Sequence, residues 1–262
     1  MTNRTTVILG FLSIAGLLAG ADVAIGSLIP TNYYSFDDQV DPGHDDSENG
    51  RNGTVTGATW VNDSVRGGVL EFDGSDSVSA SVPALPGSGV TISLWALRNS
   101  SHSGGNDGLF STNGKNLGGW VAGNDQIWGR LIQTNNSNRN LPQNTSAVMP
   151  GDDLWTHLVY RATGEDWELW QDGSFTGNSI GYDGTLATTS SLLVGRQGTE
   201  SWRGRIDDFA IWDQALADWQ IEGLAAGSFG PGNVPIPEPS TLLIWSLLAG
   251  LGVVLGWQRR RK

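Results

Sequence analysis

The most informative run in this chain is Gly204-Arg205-Ile206-Asp207-Asp208-Phe209-Ala210-Ile211-Trp212-Asp213-Gln214-Ala215-Leu216. Successive side chains of a strand point to opposite faces, so Asp207, Phe209 and Ile211 are predicted to share one face. The opposite face carries the remaining side chains, Ile206, Asp208, Ala210 and Trp212. Both faces are mostly apolar, which is typical of an inner strand of a layered β protein. Because a bare buried charge is costly, Asp207 on the core face needs a cation or hydrogen-bond donors.

Composition limits the classes of function. The chain has 262 residues, of which 38% are hydrophobic and 12 are Trp, enough for one large core. Its 37 Gly against 10 Pro are typical of tight turns between short strands. The net charge is −12, and all 27 acidic residues lie between Asp22 and Glu238, which argues against nucleic-acid binding. The absence of Cys excludes disulfides, thiolate metal sites and cysteine nucleophiles.

Short strands separated by turn residues fill the region 30–227, which we predict to be a single domain. Apolar or alternating runs lie at 54–61, 68–72, 77–82, 91–97, 154–161, 167–171 and 192–195. About a dozen such strands, with one helical turn at 218–226, predict an all-β, two-sheet antiparallel jelly-roll sandwich.

The order of several motifs resembles a known family. The quoted run is followed by Asp218-Trp219-Gln220-Ile221, and residues 70–74, 155–160 and 167–173 precede it. Together they resemble LamG-like jelly-roll domains of the concanavalin A-like lectin/glucanase group, over about residues 32–227. The resemblance implies a concanavalin A-like sandwich that residues 205–216 close. It does not identify a ligand, because one fold hosts many functions.

An acidic loop follows the first predicted strand, residues 32–36. It contains seven oxygen-bearing side chains: Asp37, Asp38, Asp41, Asp45, Asp46, Glu48 and Asn49. Such ligands on a flexible loop suit Ca²⁺, although the spacing is not that of an EF-hand. The family resemblance implies that the loop lies near the closing strand, so Asp46 or Asn49 would share a structural Ca²⁺ with Asp207. The alternative is a solvated acidic loop, with Asp207 held by backbone N–H groups.

Residues 1–24 are predicted to be a signal peptide. Arg4 supplies a positive start, and an apolar run from Val7 to Ala21 follows. Small residues at 19–21 and again at 22–24 offer two cleavage sites. The alternative is an uncleaved anchor, for which the run is short, since a spanning helix needs about 20 residues.

The C-terminus changes in character after residue 227. A Pro/Gly linker covers 228–239, and an apolar segment at 240–258 is just long enough to be a transmembrane helix. The basic tail at 259–262 places the C-terminus in the cytoplasm and the domain outside.

The same C-terminal segments resemble a sorting signal. Pro237-Glu238-Pro239-Ser240-Thr241-Leu242, the apolar span and the basic tail are similar to the PEP-CTERM signal. This resemblance implies an exosortase-type membrane peptidase as a partner and a place at the cell surface or in the extracellular matrix. The helix is then either kept as an anchor or removed.

Aromatic residues are the candidate ligand-binding groups. Most of the Trp residues are expected in the core. Trp120 and Trp128, with Arg130 nearby, lie in an irregular polar region and are the best candidates for stacking on a sugar. Trp170 and Trp202 are the next candidates.

No motif for catalysis is evident. A glucanase of this fold group needs carboxylates arranged Glu-x-Asp-x-Glu on one strand face, and Glu165-Asp166-Trp167-Glu168 does not match. We therefore predict a non-catalytic, exported surface module that binds carbohydrate or extracellular matrix polymer. The alternative is a structural or protein-interaction module of the cell envelope without a glycan ligand, and a glycoside hydrolase comes third.

Overall fold

A computed structural model describes residues 26–100, 104–142 and 146–236. These residues form β-strands, one α-helix and a short 3₁₀ helix. In chain order the elements are β1 Ser27–Leu28, β2 Asn32–Tyr34, β3 Thr54–Thr56, β4 Thr59–Asp63, β5 Gly67–Asp73, β6 Ser77–Ser81, β7 Val90–Arg98, β8 Asp107–Thr112, β9 Leu117–Val121, β10 Ile127–Ile132, β11 Asn138–Leu141, β12 Trp155–Ala162, β13 Asp166–Gln171, β14 Ser174–Gly181, β15 Ser191–Val194, β16 Arg196–Gln197, β17 Glu200–Ser201, β18 Arg203–Trp212, α1 Asp218–Ala225, the 3₁₀ turn Pro231–Asn233 and β19 Val234–Pro235.

Two antiparallel sheets face each other. The seven-stranded sheet has the order β11-β10-β9-β8-β15-β6-β3, and the eight-stranded sheet runs β14-β13-β12-β7-β18-β5-β4, with β2 paired to β18. All of these pairings are antiparallel, and neighbours far apart in sequence, such as β18 and β7, lie side by side. The predicted all-β sandwich is therefore confirmed, and its strand order is consistent with a jelly roll.

The main core fills the space between the sheets. It is built from side chains that alternate inward along each strand, such as Ile92 and Leu94 of β7 and Leu158 and Tyr160 of β12. A smaller cluster lies on the outer face of the eight-stranded sheet, where Trp212 packs beneath helix α1. Each face of β18 thus packs against one of the two clusters, as expected for an inner strand.

The predicted alternation along β18 is wrong at one point. The pairing with β7 shifts between Asp207 and Ala210, and Asp208 has a φ of 48°. This β-bulge inserts an extra residue, so Ile206 joins Phe209 in the core, and Asp207 points to the outer face. Asp207 is nevertheless buried, with 2% of its surface exposed. It therefore needs a partner, but on the face opposite to the predicted one.

Several predicted segments lie wholly or partly outside the described residues. These are the signal peptide (1–24), the end of the linker with its PEP motif, the transmembrane helix (240–258) and the basic tail (259–262). No helix in the described ranges has the length and apolar character needed to cross a membrane. Just before the PEP motif, β19 pairs antiparallel with β1.

Candidate functional site: an aromatic platform on the seven-stranded sheet

Two of the predicted ligand-binding Trp residues form a stacked pair. Trp120 of β9 and Trp128 of β10 are directly paired across the strands, and both point away from the core. Their ring centroids are 5.6 Å apart with an angle of 18° between the rings, an offset-stacked arrangement. Each side chain is only partly buried. The pair therefore presents part of its apolar surface to solvent.

Glycines on the inner side of the same strands explain how the rings are held. Gly119 and Gly129 pair with each other and face the core, where Tyr160 of the opposite sheet fills the space. A Cβ at either position would lie within 2.9 Å of the tyrosine side chain. Tyr160 also donates a hydrogen bond from its hydroxyl to the carbonyl oxygen of Trp128, at 3.1 Å. The backbone under the rings is thus fixed from the core side.

Polar groups border the aromatic pair. The guanidinium carbon of Arg130 lies 5.6 Å from the ring centroid of Trp120, which is within cation–π range. Its Nε donates to Oδ1 of Asn140, the residue paired with it on β11, at 3.4 Å. In the described part of the chain, the buried indole N–H of Trp128 finds no acceptor. We call Trp120, Trp128, Arg130 and Asn140 the aromatic platform.

The other two candidate Trp residues lie elsewhere and are buried. Trp202 is 0% exposed, and its Nε1 donates to the carbonyl oxygen of Arg205 at 3.3 Å. Trp170 is 5% exposed in the outer cluster, with the guanidinium of Arg161 4.8 Å from its ring centroid. A ring without an exposed face cannot stack on a sugar. Trp170 and Trp202 are therefore core residues rather than parts of the platform.

The predicted calcium ligands have protein partners. The carboxylate of Asp46 accepts a hydrogen bond from the backbone N–H of Ser35 at 3.0 Å, and the amide of Asn49 donates to the carbonyl oxygen of Pro30 at 3.1 Å. Asp207 pairs with Arg66 at 2.5 Å. Within the described residues, no group of three or more His, Cys, Asp or Glu side chains could hold a metal. These contacts do not form a ready calcium cage, and calcium stays a prediction.

Arg66 supplies the positive charge beside the two carboxylates of the closing strand. Its Nε contacts Asp207 and its Nη2 contacts Asp208, both at 2.5 Å. The hydroxyl of Tyr33 donates to the other oxygen of Asp208 at 2.7 Å. Desolvation, reinforced by the charge of Asp208, raises the pKa of Asp207 to about 8 despite the pairing with Arg66. The sequence indicated that Asp207 needs a partner but did not identify Arg66.

Comparison with protein families decides the assignment. Residues 72–222 match the laminin G-type family of the concanavalin A-like lectin/glucanases superfamily. The match covers more than half of the chain. The chain belongs to this superfamily. Residues 235–262 match the PEP-CTERM protein-sorting motif, which implies an exported protein sorted to the cell surface. The two resemblances seen in the sequence are thereby confirmed. None of the curated proteins matches the chain.

Solved structures share this concanavalin A-like fold at low identity. Domain 4 of AbnA, an extracellular arabinanase from Geobacillus stearothermophilus, in complex with arabinotriose, is 20% identical with a TM-score of 0.57; the match covers 76% of this chain and all (100%) of that one. The receptor-binding domain of botulinum neurotoxin C/D mosaic serotype is 13% identical with a TM-score of 0.58, covering 76% and 51%. The ligand-binding domain of botulinum neurotoxin serotype D, in complex with N-acetylneuraminic acid, is 14% identical with a TM-score of 0.53, covering 70% and 47%. The chain therefore spans about half the length of these toxin domains.

One carboxylate considered for catalysis, Glu168, has structural partners in this concanavalin A-like domain. Glu168 on β13 accepts a hydrogen bond from Nε of Arg161 at 2.8 Å and another from Nε1 of Trp170 at 3.1 Å, both at its Oε2. These contacts place Glu168 in the outer cluster beside helix α1 rather than in an open cleft. The arrangement accounts for Glu168 as a structural residue.

Proposed function

We propose that this protein is an exported, surface-sorted, non-catalytic module that binds carbohydrate through the aromatic platform. The observation that carries the proposal is the solvent-facing stack of Trp120 and Trp128. Indole rings pack against the apolar faces of sugar rings, and neighbouring amides and guanidinium groups bind the hydroxyls. Arg130 and Asn140 are placed to do so at the edge of the stack.

The surface location comes from the sorting motif, and the ligand class comes from the platform. The solved neighbours that bind arabinotriose and N-acetylneuraminic acid support a carbohydrate ligand, as analogies of fold. In the native setting the ligand is then a glycan or a polymer of the extracellular matrix. An exosortase-type peptidase acts on the precursor, and the C-terminal segment tethers it to the membrane with the domain outside and the tail in the cytoplasm.

A glycan array read with the purified full chain tests this proposal. We expect binding to a subset of glycans, and at least about a tenfold loss of affinity when Trp120→Ala or Trp128→Ala removes a stacking ring. The matched control is Trp219→Ala, because Trp219 is 43% exposed but lies on helix α1, outside the platform. Titration calorimetry on one positive glycan measures the loss.

Two other outcomes have different meanings. A silent array combined with capture of an envelope protein would contradict the glycan proposal and favour the protein-interaction alternative. Equal binding by wild type and Trp120→Ala would show that the platform is not the glycan-binding site. The array is repeated with a chelator, because binding lost in EDTA would support the predicted calcium at Asp46, Asn49 and Asp207.

A further inference from the structure

We infer that the domain has a second binding site, a cleft on the outer face of the eight-stranded sheet that takes a neutral sugar unit. The cleft has a volume of about 320 Å³, within the range of small-molecule sites. Its main walls are the turn after β4, at Asp63 to Val65, and the start of β18, at Arg205. We call it the β18 cleft. The assignment of this cleft relies on the proposed function only for the class of ligand, a sugar.

The floor of the cleft is a single row of paired side chains. Trp155 of β12 pairs with Leu97 of β7, Leu97 pairs with Arg205 of β18, and Arg205 pairs with Glu71 of β5. Four adjacent strands therefore contribute one side chain each to the same line. Neighbouring strands lie about 4.8 Å apart, so the row is roughly 14 Å long. A row of this length, with an aromatic ring at one end and charged groups at the other, suits an elongated polar ligand.

The polar groups of the row are held in place before any ligand arrives. Nη1 of Arg205 lies 2.7 Å from Asp63, and its Nη2 lies 3.7 Å from Glu71. Nε1 of Trp155 donates to Asp63 at 3.2 Å, which orients the half-buried ring. The side chains of Arg205 and Glu71 remain 30% and 36% exposed. Preorganised donors and acceptors beside an aromatic ring lower the entropic cost of binding a sugar.

Charge narrows the class of ligand. Three carboxylates, Asp63, Glu71 and Asp153, line the cleft with one guanidinium, that of Arg205. Desolvation raises the pKa of Asp63, but hydrogen bonds from Val65, Arg205 and neighbouring groups outweigh it and hold the pKa below its usual value. Asp63 therefore stays ionised at neutral pH. A uronic acid or sulfated sugar would be repelled, so the cleft selects a neutral one.

The cleft and the aromatic platform lie on different sheets. Trp120 and Trp128 point outward from the seven-stranded sheet, whereas Leu97 and Trp155 point outward from the eight-stranded sheet. The core separates the two outer faces. Two sugar sites on opposite faces allow one molecule to hold two polymer chains, which is a cross-linking role.

Fluorine NMR on the full chain labelled with 5-fluorotryptophan tests the cleft. The probes are neutral trisaccharides of arabinose, xylose, glucose and mannose, and the anionic probe is trigalacturonate. We expect at least one neutral trisaccharide to shift the Trp155 signal, which Trp155→Phe identifies, and trigalacturonate to leave it unchanged. Ser64→Tyr fills the cleft from an exposed position and is expected to abolish the shift.

The controls separate this inference from the proposed function. Ala84→Tyr adds the same ring at an exposed site away from the cleft, so its Trp155 shift is expected to persist. Trp120→Ala removes the platform and is also expected to leave the Trp155 shift intact. The inference is overturned if no neutral trisaccharide moves the Trp155 signal, or if the shift is the same in Ser64→Tyr. Binding at the aromatic platform is measured independently, from the fluorine signals of Trp120 and Trp128.

Discussion

Arg66 joins the turn after β4 to the closing strand. Its guanidinium carbon lies 4.3 Å from the ring centroid of Trp95 and 5.7 Å from that of Trp155, while its nitrogens contact Asp207 and Asp208. Two carboxylates next to each other on a buried bulge would repel strongly without it. Arg66 therefore brings one positive charge to two acids, so ionising both would leave a surplus of negative charge.

This surplus predicts a pH dependence of stability. Desolvation and Asp208 raise the pKa of Asp207 from 3.8 to about 8, so between these values the folded protein holds a proton that the unfolded chain has released. Stability should therefore fall as the pH rises through this range, by up to about 1.4 kcal/mol per pH unit. Asp207→Asn removes this titration, and we expect unfolding free energy to fall less steeply with pH. Part of the slope remains, because desolvation also raises the pKa of Asp208. Urea unfolding between about pH 5 and pH 8 measures it.

The control for this prediction is a carboxylate whose pKa is lowered instead of raised. Hydrogen bonds from Thr185 lower the pKa of Asp183, so its titration ends below this range. Asp183→Asn should leave the slope between about pH 5 and pH 8 unchanged. If Asp207→Asn and wild type showed the same slope, the protonation of Asp207 in the folded state would be disproved.

Single residues show what the sequence could reveal about the site. Trp120 and Trp128 could be chosen because they stand among polar residues, and the structure brings them together through one strand pairing. The burial of Trp202 could not be foreseen, since its neighbours in sequence are as polar as those of the platform. Arg66 was also hidden, because its contacts with Asp207 and Asp208 span more than 140 residues of chain.

At the scale of elements, the two sheets approach each other closely beneath the platform. Gly119 of β9 and Gly129 of β10 leave room for the ring of Tyr160, which projects from β12 of the other sheet. Tyr160 is 0% exposed and packs against Phe110 and Trp167. The aromatic platform on the outer face is thus supported by the contact of Tyr160 with Gly119 and Gly129 on the inner face.

Gly129→Ala tests this support. The new Cβ would lie 2.9 Å from the ring of Tyr160, so the sheets must separate locally, at a cost of about 1–3 kcal/mol. We expect a lower Tm and weaker glycan binding, because Trp128 is the preceding residue. Gly230→Ala is the control: a Cβ there meets no atom within 4 Å, and its φ of −88° is ordinary. A smaller residue at position 160 should restore the Tm of Gly129→Ala. An unchanged Tm in Gly129→Ala alone would contradict the packing argument.

Periodicity predicted the type of the elements but not the local break in one of them. The run around β18 alternates clearly enough to predict an inner strand, and the two-sheet sandwich follows from many such runs. The bulge at Asp208 is set by tertiary contacts with Arg66 and Tyr33, which alternation cannot show. One extra residue was enough to move Asp207 to the opposite face of the sheet.

At the scale of the molecule, the compact unit spans Ser27 to Pro235, and its two ends are joined. Ser27 pairs with Pro235 and Leu28 pairs with Val234. The side chain of Gln220 on helix α1 donates to the carbonyl oxygen of Pro235 at 2.7 Å. The chain therefore leaves this compact unit next to the point where it enters it.

Breaking this junction should release both ends together. Val234 is 0% exposed in the outer cluster, so Val234→Asp buries a charge there and should cost a few kcal/mol locally, roughly 2–4. We expect hydrogen exchange to speed up in residues 26–29 and 231–236, since each strand is the other's only pairing partner among the described residues. Val40→Asp, at a side chain 93% exposed, is the control and should change neither segment. Faster exchange in one segment alone would show that the ends are held separately, because a two-stranded pairing cannot open on one side only.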